Sequence, residues 1–490
     1  MSSRDATIAL RRFGLGARSD ELKRIAGDPR GFVLQSLTQA DAVVISDATL
    51  EPSHVTFATA LVAQRQKKLA ERAEVMRSAD AGNAQAAKEP QPQLAAPSPP
   101  VAEAAPDMAQ PQATTPPAAK PGRIRREAFQ QEAFARFSHA TATDAAFLER
   151  LVMFWSNHFC VSATKGPVRG MAGAYEREAI RPHVLGRFAD MLIAVEQHPA
   201  MLIYLDNAQS IGPNSRAGLN RGRGLNENLA REILELHTLG VGGGYTQDDV
   251  ANLARILTGW TVGNLVNATS EPGKFFFAPA RHEPGDRTVL GKRYPDGGLA
   301  TGLDVLRDLA AHSATARHIA QKLARHFVSD DPPAELVQRL EAAFLNTGGD
   351  LMSVSRALLE SPEAWEAQPA KVMPPYDFLV AVVRGFALEP QPQEMLRLTN
   401  QLGQPLWRPP APAGWPDTDT AWAAPSALRE RLRVAEVAAR RINPGADPRM
   451  VAEEVLGEGM ASATRQAVAR AETREQGLEL LIMSPEFQRR

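Results

Sequence analysis

The residues best placed for chemistry lie in one continuous block, Asn226 to Trp260, NENLAREILELHTLGVGGGYTQDDVANLARILTGW. Read as a helix, its first half sets Asn228, Glu232 and Glu235 along one flank of an apolar face. Two carboxylates three residues apart can share a proton or an ion, as acid–base and metal sites require. Arg231 sits beside them as a holder for an anionic group, although Glu227, Arg231 and Glu235 also make an ordinary i, i+4 ladder. His237 falls on the apolar face, where the common role is a core histidine bonded to a backbone carbonyl. At the α-helical rotation it points about 140° away from Glu232, so this helix alone cannot bring both to one ion. Other helices must complete the site.

A second group is Phe154-Trp155-Ser156-Asn157-His158-Phe159. Leu148, Leu151, Val152, Trp155 and Phe159 form a buried stripe, and His158 lies at its edge. An edge histidine can pack on the core and still reach a cleft, which suits a base or a ligand. His158, Arg231, Glu232, Glu235 and His237 are therefore the candidate catalytic set, with Glu232 or His158 as the base. Trp155, Asn207, Asn228, Arg255, Trp260 and His282 are candidate ligand-binding residues. Thr246 and Asp249 have the spacing of a helix capping box, which gives Asp249 a structural explanation.

These groups need a helical scaffold, and the sequence supplies one. The chain has 490 residues, 44% of them hydrophobic, enough to bury a large core. Helical periodicity covers residues 5–76 and the stretches near 124–139, 143–162, 179–197, 199–205, 226–239 and 246–258, then most of 300–386 and 392–488. The expected fold is mainly α, a large multi-helix, bundle-like globular structure with a small β-hairpin insert near 274–294. In that insert Phe275–Phe277 and Thr288–Leu290 are β-prone runs around a Pro-Gly-Asp turn, expected to pair with each other. The expected organisation is an N-terminal helical part (1–77), a disordered Ala/Pro/Gln-rich insertion (78–122), a central helical core (123–390), and a C-terminal helical part (391–490). The last contains a Pro/Trp-rich loop, PLWRPPAPAGWPDTDTAW. Residues 206–225 form a Gly/Asn/Arg-rich loop, long enough to suggest a binding lid.

Composition removes several classes of function. Fifty-five basic and 56 acidic residues give a net charge of −1, with no global field to draw nucleic acid or an anionic membrane. The single cysteine, Cys160, excludes an intramolecular disulfide and thiolate-rich metal centres. No metal ligand set is assigned and no cofactor is indicated: the Glu-x-x-His pattern of di-iron bundles is absent. The glycines match no phosphate-binding fingerprint and no Gly-x-Ser-x-Gly elbow occurs. No apolar run has the length of a membrane span or follows the N-terminus as a signal would, so the expected location is the cytoplasm.

The same blocks carry a family likeness. FWSNHF at 154–159, HPAMLIYLDNAQS at 198–210, the Asn226–Trp260 block, RHEPGDRTVLGKRY at 281–294, HFVSDDPPAELVQRL at 326–340 and GQPLWRPPAPAGWP at 403–416 resemble the bacterial family called domain of unknown function 1800. The likeness covers nearly the whole chain outside 78–122. It assigns no catalytic role. It implies a partner enzyme that looks like alkaline phosphatases and sulfatases, because such proteins are often encoded side by side. Many relatives carry export signals, which this sequence does not show. Three readings follow: an enzyme or ligand-binding protein with a polar site between helices, a non-catalytic accessory or scaffold protein, and a His/carboxylate metal-dependent enzyme.

Overall fold

The computed structural model describes residues 3–86, 120–219, 224–265, 270–366 and 371–490. Helices dominate, and among the described residues two two-stranded antiparallel ribbons are the only sheets. The chain is thus mainly α with a small β insert, as expected. The N-terminal, central and C-terminal parts all contribute to one cluster of buried apolar residues that runs from Ala6 to Phe487. Of the expected insertion, residues 78–86 continue the helix Ser53–Ala86 and 121–122 open the helix Pro121–Ala142 that packs against it. Residues 87–119 lie outside the described residues. No described helix is long and apolar enough to cross a membrane.

The helix Ala146–His158 runs through the centre. It is apolar around nearly its whole circumference, and only Ser156 and Asn157 are not buried. A helix of that composition is stable only where neighbours cover every side. Its two charged residues survive burial because each is paired: Glu149 accepts two bonds from Arg181, both 2.8 Å, and Arg150 donates to Asp377 at 3.0 Å.

The β insert differs from the expected pairing. Phe275–Phe277 (β2) pairs back with Trp260–Val262 (β1), while Arg287–Val289 (β3) pairs with Lys292–Tyr294 (β4). The Pro284-Gly285-Asp286 turn therefore joins two ribbons instead of closing one. The second ribbon closes on Leu290-Gly291, both at positive φ (50° and 74°). That is the signature of a two-residue type I′ turn, whose twist matches the strands. A leucine in a left-handed conformation is not a turn signal that sequence displays.

Leu290 is held by Asp249, whose Oδ1 accepts its backbone N–H at 2.8 Å. The other oxygen of Asp249 completes the predicted capping box with Thr246 at the start of the helix Gln247–Ile256. Thr246→Ala removes one half of that box and is expected to cost about 1 kcal/mol. Measured by urea denaturation, an unchanged midpoint would show that Asp249 alone sustains the helix start.

The expected helix 226–239 is two pieces. Asn228–Glu232 is α-helical and Ile233–His237 is a π turn. Asn226 accepts from Asn228 N–H, at 2.9 Å, just before the helix begins. A second π turn covers Glu176–Ile180. Both wide turns carry buried ionisable groups, and π-bulges recur at functional sites.

Candidate functional site

The π turn changes the geometry of the central block. With i→i+5 closure, residues five apart stack, so Glu232 and His237 come to the same side. The 140° separation expected for an α-helix does not apply. The turn also leaves the carbonyls of Leu236 and His237 free of helical partners, and two histidines from elsewhere take them. His158, the last residue of Ala146–His158, points Nε2 at the His237 carbonyl at 3.2 Å. His318, from the helix Ser313–Phe327, points Nε2 at the Leu236 carbonyl, also at 3.2 Å. A carbonyl only accepts, so both imidazoles carry their proton on Nε2. The ring of His158 lies 6.3 Å from that of His237 and 6.1 Å from that of His318.

His237 makes a different bond. Its Nδ1 donates to Glu196 Oε1 at 2.7 Å, and both side chains are at most 1% exposed. The carboxylate fixes the tautomer and leaves Nε2 as the proton-accepting atom, the arrangement that orients a base in many acid–base sites. Glu196 Oε2 is buried with no hydrogen-bond partner, so the pair is not simply one strut in a saturated network.

Tyr204, Glu232, His318 and Lys322 are only half-buried, and Cys160 feels the charges of both Glu232 and Lys322. Burial raises the carboxyl pKa of Glu232, while the neighbouring His237 opposes the rise. Burial lowers His318 to about 4, helped by the charge of Lys322. It pushes His158 well below the usual histidine range, again with Lys322 adding to it. Cys160, next in line, is pushed up to about 12 by burial and stays a thiol. Lys322 is brought down to about 8 by burial. Near neutral pH His158 and His318 are therefore neutral imidazoles and Cys160 is a thiol, beside a carboxyl raised by burial and a lysine lowered by it. That set can move protons.

Of the expected catalytic set His158 and His237 come together, and Glu232 feels the charges of His237 and of Glu235, which raises its carboxyl further. Arg231 does not join them as a free cation: its guanidinium is spent on Glu227 at 3.1 Å and Gln247 at 3.0 Å. The expected ligand-binding residues are mostly structural. Trp155 is sealed in a stack with Phe154, Phe159 and Phe188. Asn207 ties down the carbonyls of Leu257 and Trp260, and Trp260 is fully buried. Arg255 bonds Asn252, Asn228 is exposed, and His282 bridges Thr258 O and Asp296. The described part of the 206–225 loop is fastened to the insert rather than left open: Asn214 gives both its backbone and its side-chain N–H to Glu283.

Sequence reasoning missed Glu196, Cys160, Tyr204, His318 and Lys322. The one signal available was the four-residue step His318, Lys322, His326, a polar stripe on an otherwise amphipathic helix.

Two further clusters are structural. Glu178 accepts from Ser53 Oγ at 2.6 Å and from His198 Nε2 at 3.0 Å. Serine, histidine and carboxylate meet, but the serine donates to the carboxylate, and His198 Nδ1 accepts from Ala200 N–H. That is no nucleophile–base relay. Behind Cys160, the Pro/Trp-rich loop folds over the central helix. Asn157 clamps Trp415 through both backbone groups, at 2.9 and 2.7 Å. Gly414 sits at φ +84°, where a Cβ would come within 2.5 Å of Asn157 O. A cavity of about 90 Å³ remains beneath this loop, lined by Met153, Cys160, Tyr376 and Trp407 among others. Among the described residues no three His, Cys, Asp or Glu side chains gather as a metal-holding group.

Fold and site together define a mainly helical protein built around a histidine- and carboxylate-lined centre where helices meet. The chain belongs to the family described as Protein of unknown function (DUF1800), which it matches over residues 8–489. Comparison with curated proteins and with solved structures gives no match.

Proposed function

We propose that the cleft bounded by Tyr204, Glu232, His318 and Lys322 is an acid–base site for a small polar molecule. Glu232 exchanges the proton with the substrate. His237, held by Glu196, stands behind Glu232 and takes up the charge as that proton moves. His158 and His318 fix the π turn on which both residues ride. The observation that carries this reading is the 2.7 Å Glu196–His237 bond, wholly buried, on a turn that stacks His237 beneath Glu232. A buried carboxylate facing an imidazole has no structural advantage over an apolar pair of the same volume.

The test is substrate discovery with a matched control. Purified protein is incubated with a cell metabolite extract, and consumed compounds are identified by mass spectrometry for wild type and Glu232→Gln. The expected result is at least one compound turned over by wild type and consumed about 10²–10⁴-fold more slowly by the variant, with melting temperatures alike. Equal consumption by both proteins would end the acid–base reading. The partner enzyme of alkaline phosphatase and sulfatase type, and the cytoplasmic location expected from the sequence, belong to the same proposal. Co-purification from fractionated cells tests both.

A further inference from the structure

The helix Ser313–Phe327 lays His318, Lys322 and His326 along one stripe, each a turn apart. The outer two are pinned. His318 donates to Leu236 O at 3.2 Å, and His326 pairs with Asp417 Oδ2 at 3.3 Å and meets Arg150 at 3.3 Å. Lys322 is fixed in place between them, yet its Nζ makes no hydrogen bond or ion pair among the described residues. Lys371 shows the usual fate of a lysine drawn inward: 2% exposed, it is held by Asp330 at 2.7 Å and by Asp417 O at 2.8 Å.

The reason Lys322 stays unpaired is competition. Asp417 is the carboxylate that attracts it most. Its oxygens are already shared among His326, Lys371 and Arg490. On the opposite side Lys322 faces His158, His318 and Cys160, none of which carries a negative charge near neutral pH. Arg325, on the same helix, adds repulsion. A half-buried amine without a counter-ion, set between His318 and His326 on its helix and beside His158 and Cys160, is placed as a nucleophile rather than as a strut.

We propose that Lys322 is a covalent anchor for a carbonyl compound, an aldehyde or ketone, bound in the cleft. Its Nζ lone pair attacks the carbonyl carbon, the carbonyl oxygen takes a proton, and the nitrogen gives one up, forming a carbinolamine. The hydroxyl then leaves as water with a second proton, the C=N bond forms, and the nitrogen returns its remaining proton to the group that supplied that one. The sum is amine plus carbonyl giving imine plus water. Glu232, whose charge like that of Lys322 reaches Cys160, is assigned as the donor of the proton for the leaving water, and in this the inference rests on the acid–base reading above. Burial, which lowers the amine to about 8, raises its unprotonated share at pH 7 roughly three-hundredfold over an ordinary lysine.

Reductive trapping tests it. The full-length protein is treated at pH 7 with limiting propionaldehyde and cyanoborohydride, and alkylated lysines are quantified by peptide mass spectrometry. The expected result is alkylation of Lys322 at least ten times faster than of the exposed Lys23, Lys67 and Lys292. That preference should vanish in urea, and in Lys322→Arg the peptide should carry no label. Labelling of Lys322 no faster than the exposed lysines overturns the anchor. Repeating the trapping with Glu232→Gln separates the two claims. Fast labelling that this variant does not slow sinks Glu232 as proton donor and leaves the anchor standing. Slow labelling in wild type sinks the anchor and leaves the acid–base site to its own test.

Discussion

Replacing Glu176 by glutamine lowers the stability of this protein by about 3–5 kcal/mol, read as a fall in the urea midpoint. Glu176 is buried at the second π turn and joins four partners. Arg136 reaches both its oxygens at 2.9 Å and Arg181 donates at 3.0 Å. Ser156 donates at 2.8 Å and the Trp407 indole at 3.2 Å. The amide keeps the size of the side chain but removes the charge, leaving Arg136 without its carboxylate in a dry interior while Arg181 keeps only Glu149. That uncompensated charge, more than the lost attraction, sets the magnitude. Replacing Arg136 and Glu176 together by apolar residues, which leaves the Arg181–Glu149 pair intact, should therefore cost much less than Glu176→Gln alone. If the single change proves as mild as a surface substitution, the ion hub is not what fastens the helix Pro121–Ala142 and the Trp407 loop to the centre.

Acid should act through the same group. Burial alone would raise the Glu176 carboxyl, but Arg136 and Arg181 outweigh it and hold the pKa at about 2, against 4.5 for the free side chain. A pKa depressed on folding means that the unfolded chain binds the proton first. The stabilisation is complete above pH 4.5 and is lost as the pH falls through the folded value near 2. Glu178, bonded to His198 and Ser53 and also at about 2, adds in the same direction. The urea midpoint of wild type should fall steeply across that window, and that of Glu176→Gln less so.

Much of this was legible in the sequence because the strongest signals are local. Helix periodicity, the Thr246 capping box and the buried stripe of Leu148, Leu151, Val152 and Trp155 each depend on residues a few positions apart, and they stand as expected. His158, Glu232 and His237 were also visible, since polar groups on apolar faces ask for an explanation. Two kinds of feature were hidden. One is a backbone state that composition does not announce. The π turn at Ile233–His237 brings Glu232 and His237 together where α-helical arithmetic separates them, and Leu290-Gly291 closes a turn usually marked by Asn or Asp. The other is a partner from far along the chain. Nothing in the local sequence of His237 points to Glu196, 41 residues earlier. Nor does anything near Leu236 point to His318, 82 residues later. The Asn226–Trp260 block shows where polar groups concentrate, but the groups that orient them arrive through tertiary packing.

Glu196→Gln is the change that separates orientation from charge at His237. The glutamine carbonyl still accepts the Nδ1 proton, so the ring should keep its tautomer, and selective ¹⁵N labelling of the histidines should show Nδ1 protonated and Nε2 bare as in wild type. Stability should scarcely move, because the substitution removes a buried charge whose Oε2 has no hydrogen-bond partner. Turnover of the substrate found for wild type should nevertheless fall about 10²–10⁴-fold. When Glu232 hands its proton inward, His237 becomes an imidazolium in a site with almost no solvent, and the carboxylate of Glu196 is the charge that stabilises it. Glu196→Leu adds the loss of the hydrogen bond. The bare Nδ1–H should then cost about 1–3 kcal/mol of stability, and the tautomer preference seen by ¹⁵N labelling should disappear. The loss should appear in kcat rather than KM, because Glu196 lies beneath the residues that face the cleft. Full kcat in Glu196→Gln would mean that His237 never carries a charge during turnover, and Glu232 would then have to exchange its proton with solvent or with Tyr204 instead.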